Sequence, residues 1–514
     1  MIAPSEDWLV ELSADAGGVS VRGPASHRVG CGASSGQGDG VSAEWNWDGH
    51  QLALRNDRFG FSPLYYCDTG DAFRLSPSIP RLVKAGAPSD LDEAAFAVFL
   101  RLGFFVGEDT PFAAIRALPP AARLTWQPGH LRVSSEPPAW GRLEIDRPAA
   151  VRTYARLFRD AIRRCVPRDG RVVLPLSGGQ DSRHILFELL ESGIRPVCVT
   201  ARYDPPRATP DAEIAAGLTR ALGLRHAVLD QPASPLETLL RHHAVTGFCT
   251  LTPSSFSLVV ADFLRDAADV AFDGLAGDVM SAGLFNSLER DRLFREGRIE
   301  SLAADLLAAF NGGGGFHDDM LGRALGAPAL ERFSRRLAIE RLVRELGRHA
   351  AAPNPVASFC FLNRTRRDIS LVPFRVYAGV PTVHCPYLDR ELVDFLASLP
   401  AELVVSHSFH RETIDHAFPR WRSLPYAAWE DASGRRSRRR SRRLTREILR
   451  HCAGGWRCGL VRPAYAVPRL LRGLVDPGYG RAVAWFGPLL VYLRQLERLV
   501  EEGPVIREGA SRRN

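Results

Sequence analysis

The spacing of apolar residues divides the chain into a first part built from strands and a second part in which strands and helices alternate. In the first part, segments 43–47 and 51–54 alternate apolar with polar residues, and turn-forming residues separate them. A period of two predicts strands with one buried face. The same part is expected to hold a helix over residues 93–101, with Asp92 as its N-cap, and a last strand over residues 122–126.

From about residue 148 onward, apolar runs of strand length alternate with segments of helical length. Helices are predicted over 151–165, 184–190 and 211–222, and strands over 172–176, 196–200 and 227–230. This order of elements is typical of a parallel sheet covered by helices. The remainder, to about residue 500, has mainly helical patterns. We therefore predict an α/β fold with two domains, residues 1–145 and residues 146–510.

Composition places the chain among ordinary globular proteins and narrows the classes of partner. Of its 514 residues, 45% are hydrophobic and 24% are charged, which suffices for two or three folded units. The net charge is +8, but seven arginines lie between Arg435 and Arg443, so the rest of the chain carries about +1. A basic surface over the whole molecule is therefore not expected, and the charge does not favour a general nucleic-acid binder.

Cysteine usage and apolar stretches favour a reduced compartment and no membrane span. The nine cysteines include no Cys-x-x-Cys and no pair with zinc-ligand spacing, which is typical of reduced thiols in a cytosol. His242-His243 and the pair Cys452 and Cys458 lack further ligands at suitable spacing, so we expect no zinc site. No uncharged apolar stretch reaches about 18 residues, and residues 1–7 lack a signal-peptide pattern. We expect a cytoplasmic protein.

The segment with the most specific chemistry lies between the strand at 172–176 and the helix that follows it. It consists of Ser177, Gly178, Gly179, Gln180, Asp181 and Ser182. Backbone N–H groups at a helix N-terminus are unpaired and carry partial positive charge, and two glycines allow an anion to approach them closely. The serines add hydroxyl donors, and Asp181 beside a polyphosphate is expected to bind Mg²⁺. The alternative is a plain strand-to-helix turn with a capping serine.

Residues 176–182 resemble the Ser-Gly-Gly-x-Asp-Ser loop of ATP pyrophosphatases, and further segments resemble one member of that group, asparagine synthetase. These segments occur in the family's order along the chain, and they are 56–66, 222–226, 273–278 and 386–400. The resemblance implies a parallel-sheet ATP-pyrophosphatase domain (adenine nucleotide α-hydrolase-like) with a helical extension. It also implies that a β-rich, degenerate Ntn-glutaminase-like domain precedes it.

The same resemblance implies a reaction and a set of site residues. Family members activate a carboxylate with ATP, release pyrophosphate and let an amine attack the acyl-adenylate. The resemblance implies that Asp181 and Asp278 bind Mg²⁺ and that the loop of residues 177–182 binds ATP. The nucleotide pocket is further implied to include Leu176, Val199, Asp273 and Gly274. ATP and Mg²⁺ are therefore the expected cofactors.

Departures from the family concern the source of the amine and the charge at the transition state. Glutamine-using members expose a cysteine directly after the initiator methionine, whereas position 2 here is Ile2. Leu275 replaces a glutamate of the family's acidic loop. The family's Lys-x-x-x-Arg pair corresponds to His407 and Arg411, so both are candidate catalytic residues. The first domain is expected to keep the glutaminase-type fold without its chemistry.

Relatives without the glutaminase cysteine include β-lactam synthetases and lasso-peptide cyclases, which close an amide within one substrate molecule. The size of this chain and its degenerate first domain resemble the lasso cyclases in particular. The hypothesis is an ATP-dependent ligase acting on a carboxylate and an amine, with a precursor peptide as a candidate substrate. Asparagine synthesis from ammonia or glutamine, a non-catalytic nucleotide-binding scaffold and a tRNA-modifying thiolase are the alternatives. The run from Arg435 to Arg443 could dock a leader peptide or partner protein, or form a solvated helix face or a mobile loop.

Overall fold

The computed structural model describes most of the chain, with gaps at both ends and in several loops. The described residues are 8–15, 18–31, 40–202, 207–208, 211–251, 254–309, 315–426, 430–431, 435–452, 460–476 and 479–503. The expectation for Ile2 lies outside these residues, as do Cys458 and the side chains of Arg435, Arg436 and Arg438.

The first part of the chain folds into two antiparallel five-stranded sheets, as its two-residue periodicity predicts. The strands are β1 Val10–Asp15, β2 Gly18–Arg22, β3 Ser26–Cys31, β4 Val41–Trp47, β5 Leu52–Asn56, β6 Tyr65–Asp68, β7 Ala72–Ser76, β8 Ile115–Ala117, β9 Ala122–Gln127 and β10 His130–Ser135. The strand orders are β2-β1-β7-β6-β8 and β10-β9-β5-β4-β3. Two helices, α1 Ile79–Lys84 and α2 Glu93–Leu102, complete this part, and the Asp92 side chain caps α2 by accepting from the Ala95 N–H.

The expectation that the strand at 122–126 is the last of this part is wrong. Pro128 and Gly129 form a two-residue hairpin turn, with Gly129 at φ +72°, and β10 pairs back along β9. The inner faces of the two sheets meet in a core that includes Trp8, Trp45 and Trp126. Strand β10 is exposed on alternate residues and has little apolar character, which is why the sequence pattern does not reveal it.

The loop after β5 is held by one buried carboxylate. Asp57 Oδ1 accepts the N–H groups of Phe59 and Phe61 at 3.2 and 3.0 Å, and its Oδ2 accepts that of Ser62 at 2.8 Å. Burial raises the pKa of Asp57, and these backbone bonds oppose that shift. The three bonds use both oxygens of the Asp57 carboxylate, so they support a structural role for Asp57.

The second part of the chain is built on a parallel sheet, as the alternation of elements predicts. Its strands are β11 Val172–Pro175, β12 Val197–Ala201, β14 His226–Leu229, β15 Val270–Phe272 and β16 Thr382–His384, in the order β14-β12-β11-β15-β16. All four neighbouring pairs are parallel. Two further short strands, β13 Arg207–Ala208 and β17 Glu430–Asp431, pair with each other in antiparallel fashion.

Helices cover this sheet and form the rest of the chain. They are α3 Arg147–Cys165, α4 Asp181–Glu191, α5 Asp211–Ala221, α6 Pro235–Val245, α7 Ser257–Ala267, α8 Gly277–Ser281, α9 Leu288–Arg295, α10 Ile299–Ala309, α11 Asp318–Ala324, α12 Ala327–Arg332, α13 Arg335–Gly347, α14 Pro355–Cys360, α15 Arg390–Ser398, α16 Ala401–Val404, α17 Phe409–Ala417, α18 Arg435–His451, α19 Pro463–Val475 and α20 Gly480–Glu502. Residues Phe361–Ile369 and Val372–Val376 are π-helical, and Pro386–Leu388 and Pro419–Trp421 are 3₁₀ turns.

The structure extends one predicted helix and selects between two alternatives for the arginine run. The helix expected over 151–165 begins at Arg147, because the Asp146 side chain caps it by accepting from the Ala149 N–H and a proline occupies its first turn. The arginine run belongs to α18, which agrees with the helix-face alternative and not with a mobile loop. In the part of the chain that the structure describes, none of the helices combines the length and apolar character that crossing a bilayer requires.

Polar and aromatic contacts join the two parts of the chain. The boundary between them at residue 145 stays a prediction. The Arg58 guanidinium donates to both carboxylate oxygens of Asp394, at 3.0 and 2.6 Å. Trp140 Nε1 donates to the same carboxylate at 2.8 Å. The rings of Phe61 and Phe361 meet edge to face with centroids 5.4 Å apart. The segment that follows Asp57 therefore faces the second part.

The adjacent histidines of α6 belong to the protein core. His242 Nε2 lies 2.9 Å from Ser254 Oγ, and His243 Nδ1 lies 2.6 Å from Gln495 Oε1 on α20. Burial lowers the pKa of His242 to about 3 and that of His243 to about 4. Both rings are therefore neutral at pH 7 and join α6 to its neighbours.

We expect acid to destabilise the protein through His243. Its pKa is lower in the folded state than the ordinary 6.5, so the unfolded chain binds the extra proton first as the pH falls. Relative to a His243→Gln variant, the wild type should lose about 1.4 kcal/mol of unfolding free energy per pH unit between pH 6.5 and about 4. Urea unfolding of both proteins at pH 7.5, 6 and 5 measures this. A difference between them that does not vary with pH would contradict the prediction.

Candidate active site

The glycine-rich loop of residues 177–182 lies at the carboxyl end of β11, the middle strand of the parallel sheet, and leads directly into α4. This edge of an open parallel sheet is where ligands bind in α/β proteins. Leu176 and Val199 are buried next to the loop, and the Leu176 N–H donates to the Val199 carbonyl at 2.8 Å. The Thr200 hydroxyl donates to the Leu176 carbonyl at 2.6 Å, which fixes the point where the loop begins.

The loop is shaped by its own serines and by one carboxylate from α5. Ser177 donates its N–H to Ser182 Oγ at 3.1 Å, and the two hydroxyl oxygens are also 3.1 Å apart. The Gly178 N–H donates to Asp211 Oδ1 at 2.7 Å, and the Gly179 N–H donates to Ser177 Oγ at 3.2 Å. These bonds hold the loop open at the start of α4, whose first-turn N–H groups have no carbonyl partner within the helix and suit an anion.

A second acidic loop, residues 273–278, follows β15 and packs directly against Asp181. A Cβ atom at Gly274 would lie 2.9 Å from Asp181 Cβ, and one at Gly277 would lie 2.6 Å from Asp181 Oδ1. Only residues without a side chain allow this approach. Ala276 between them has φ +76°, a left-handed backbone that costs energy for any residue but glycine. The close packing brings Asp278 beside Asp181.

The two carboxylates repel each other. Burial and the charge of Asp181 raise the pKa of Asp278 to about 6, while Arg364 from the π-helical segment opposes the shift. Burial, followed by the charge of Asp181, also raises the pKa of Asp273 to about 6, although its Oδ1 accepts the Leu275 N–H at 2.9 Å. A cation placed between Asp181 and Asp278 would relieve this repulsion.

These residues fit Mg²⁺ that arrives with a triphosphate better than they fit a metal held by protein alone. Among the described residues, no group of three or more His, Cys, Asp and Glu side chains is arranged to hold a metal ion. Mg²⁺ in nucleotide sites takes one or two carboxylates and completes its shell with phosphate oxygens and water. Asp181 and Asp278 supply such a pair, beside helix N–H groups that suit the phosphates.

Three residues that the sequence did not mark as site residues lie behind Asp181. His410 is fully buried, and its Nδ1 lies 3.3 Å from Asp181 Oδ1. The Tyr387 hydroxyl donates to the Asp181 carbonyl at 3.2 Å and lies 3.3 Å from His410 Nε2. His184 Nδ1 lies 3.2 Å from the same His410 Nε2, and burial with the nearby His410 lowers the pKa of His184 well below its ordinary value. The sequence signal that could have found His410 is its position directly before Arg411.

The two candidates carried over from the family's Lys-x-x-x-Arg pair lie in different surroundings. His407 has φ +58° and its Nδ1 lies 2.8 Å from the carbonyl of Ala282, the residue directly after α8. The ring is thus next to the helix that carries Asp278, in an exposed position. Arg411 lies on α17, follows His410 and has a side chain that is 53% exposed. A catalytic role for either residue stays a prediction.

Comparison with known proteins gives two family matches. Residues 153–425, more than half of the chain, match the family model for asparagine synthase, and residues 36–135 match that for a glutamine amidotransferase domain. No curated protein matches the chain. A solved structure of "the allosteric regulatory enzyme of purine biosynthesis" is 11% identical, with a TM-score of 0.15 over 38% of this chain and 48% of that chain. The chain spans about half the length of that protein, and so low a TM-score supports no inference.

Proposed function

The chain belongs to the asparagine synthase family, and from this premise we propose that it is an ATP-dependent ligase that forms an amide bond through an acyl-adenylate. The observation that carries the proposal is the meeting of Asp181 and Asp278 at the N-terminus of α4. Burial, followed by the charge of Asp181, raises the pKa of Asp278, and the adjoining helix N–H groups suit phosphate oxygens. A tight turn without a ligand would have no need of this arrangement.

In the proposed reaction a substrate carboxylate attacks the α-phosphorus of ATP and pyrophosphate leaves; a substrate amine then attacks the acyl carbon and AMP leaves. The loop of residues 177–182 holds the phosphates, and Asp181 and Asp278 hold the metal. Mg²⁺, when bound, supplies positive charge to the leaving pyrophosphate. Leu176, Val199, Asp273 and Gly274 line the nucleotide pocket. Arg411 adds a permanent positive charge, and His407 is the second candidate for that task.

We propose that the amine belongs to the substrate, as in a lasso-type macrocyclase with a precursor peptide. The first part of the chain supports this, because its segment that most resembles the family, residues 56–66, has a structural role. The Asp57 carboxylate is occupied by backbone N–H groups, and Arg58 is paired with Asp394 of the second part. The alternatives are asparagine synthesis from ammonia or glutamine, and a nucleotide-binding scaffold without catalysis.

The test is nucleotide turnover by the purified full chain with Mg²⁺ and ATP. Three mixtures are compared: aspartate with ammonium, aspartate with glutamine, and any short peptide encoded beside the gene. We expect AMP and pyrophosphate in equal amounts with the peptide, together with a product that has lost one water. Turnover only with aspartate would assign asparagine synthesis. ADP as product would overturn the acyl-adenylate, and ATP binding without turnover in every mixture would favour the scaffold.

We further propose that the arginine run docks an acidic partner segment, such as a leader peptide. In α18 the side chains of Ser441 and Thr445 are buried, whereas those of Arg439, Arg442 and Arg443 are exposed. The arginines therefore form the outer face of a folded helix. Clustered, exposed guanidinium groups bind carboxylates through charge-assisted hydrogen bonds.

Reversing one exposed charge in this run should weaken that docking. We expect Arg439→Glu to reduce the affinity for a labelled precursor peptide about tenfold at low salt. The matched control is Arg152→Glu, which reverses an exposed charge on α3. Fluorescence anisotropy measures both affinities, and equal affinities of the two variants would refute docking at the run.

A further inference from the structure

The segment of residues 418–426, which we name the strap, lies along α4 from one end to the other. Near the C-terminal end of α4, the Phe187 ring packs against Trp421 and Phe418, with centroids 4.3 and 5.3 Å away. Arg420 of the strap also pairs with Glu191, the last residue of α4. The direction of the strap then brings its other end to the N-terminus of α4, where the glycine-rich loop of residues 177–182, here named the phosphate loop, ends.

Arg183, the residue after the phosphate loop, binds the C-terminal end of the strap. Its side chain is fully buried, although it is a permanent cation. Its two terminal nitrogens donate to backbone carbonyls of the strap, at 3.0 Å to Leu424 and also to Pro425. Its guanidinium carbon lies 3.7 Å from the centroid of the Tyr426 ring. A buried guanidinium needs such partners, so Arg183 fixes the place of Tyr426.

Tyr426 in turn contacts Arg411, the candidate for transition-state charge. The Arg411 guanidinium carbon lies 4.6 Å from the centroid of the same ring. The ion pair of Arg411 Nε with Asp415 is long, at 4.0 Å, and Arg422 shares that carboxylate at 3.7 Å. A half-exposed arginine with one long ion pair has many rotamers, and a fixed aromatic ring reduces that freedom.

The chain beyond the strap is attached near the phosphate loop as well. Glu430 and Asp431 pair in antiparallel fashion with Ala208 and Arg207, which lie just before Asp211. Asp211 is the residue whose carboxylate accepts the Gly178 N–H of the phosphate loop. Along the chain, Tyr426 thus lies between the strap carbonyls that Arg183 holds and the pairing of β17 with β13.

We propose that Tyr426 is a positioning residue, which Arg183 holds in place and which aims the Arg411 guanidinium at the pyrophosphate of bound ATP. The proposal rests on the proposed function, because it takes the phosphate loop as the ATP site. Tyr426 itself does not touch the reacting atoms; it acts through Arg411. Neither Arg183 nor Tyr426 lies in a motif that carries the family resemblance.

A double-mutant cycle tests this, with magnesium pyrophosphate as the probe and calorimetric binding to the full chain as the readout. We expect Arg411→Met to weaken pyrophosphate binding about thirtyfold and Tyr426→Leu about tenfold. If Tyr426 acts through Arg411, the double variant binds no more weakly than Arg411→Met alone. Tyr426→Phe keeps the ring and should restore affinity to within about threefold of the wild type.

The control is Tyr465→Leu, which removes an equivalent contact with Arg469, 3.8 Å away on α19 and far from the phosphate loop in the chain. It should leave pyrophosphate affinity unchanged. Thermal unfolding is recorded for every variant, and Tyr426→Met replaces Tyr426→Leu if the latter does not fold. Unchanged affinity in Tyr426→Leu, or additive losses in the double variant, would overturn the inference. A wild type that binds neither ATP nor pyrophosphate would instead overturn the proposed function.

Discussion

The Asp181→Asn variant is expected to release pyrophosphate from ATP at least about a thousandfold more slowly than the wild type. The amide has the size of the carboxylate but no charge, so one of the two anionic groups for Mg²⁺ is lost at the point where charge develops on the leaving group. The backbone carbonyl of Asp181 still accepts from Tyr387, so the local fold should persist. Rates of pyrophosphate release at saturating ATP, with the substrate found in the turnover test, measure the effect.

The same substitution should stabilise the protein in the absence of ATP and Mg²⁺. After burial, the charge of Asp181 is the largest cause that raises the pKa of Asp278, so neutralising it removes a repulsion within the folded state. Asp269→Asn is the control: this carboxylate is paired with Arg171 at the opposite, amino end of the sheet, and its pKa is lowered to about 2 by that arginine. Asp269→Asn should keep activity and lower the melting temperature. An active Asp181→Asn enzyme would remove the basis of the proposed site.

The second large effect is expected for Gly277→Ala. Its methyl group would lie 2.6 Å from both Cγ and Oδ1 of Asp181, so the carboxylate has to move. Displacing a catalytic group by about 1 Å can cost about a hundredfold in rate, and we expect a loss of that size in pyrophosphate release. ATP affinity should fall less, because the N–H groups of α4 are untouched.

Gly217→Ala is the matched control for that substitution. Gly217 lies within α5, and a Cβ atom there would meet no heavy atom within 4 Å. Alanine should therefore raise the stability of the helix by up to about 1 kcal/mol and leave the rate unchanged. If Gly277→Ala retained the wild-type rate, the close contact between the two acidic loops would not matter for catalysis.

Local patterns were enough to predict the elements that carry the site. The apolar run before Ser177 and the apolar helix after it placed the phosphate loop between a strand and a helix, because strand and helix periodicities depend on residues only a few positions apart. The Asp92 cap was predicted for the same reason. The exposed strand β10 was not predicted, since its alternation contains too little apolar character to stand out.

The resemblance to a family, rather than any local pattern, brought Asp278 into the predicted site. Asp181 and Asp278 are almost a hundred positions apart, and they meet because β15 lies beside β11 in the sheet. The order of strands results from packing across the whole core, so spacing along the chain does not contain it. The need for glycine at positions 274 and 277 becomes visible only in the folded structure, where Asp181 packs against both residues.

The sequence by itself determined a glycine-rich loop at a helix N-terminus, a β-rich part before it and a parallel sheet around it. The tertiary structure alone decided that His410 and Tyr387 lie against Asp181, that Arg364 is near Asp278, and that the strap places Tyr426 over Arg411. The physical reason is the separation along the chain over which each kind of interaction acts. Periodicity, capping and backbone freedom act between near neighbours in the chain, whereas contacts among buried charges and rings depend on how distant elements pack.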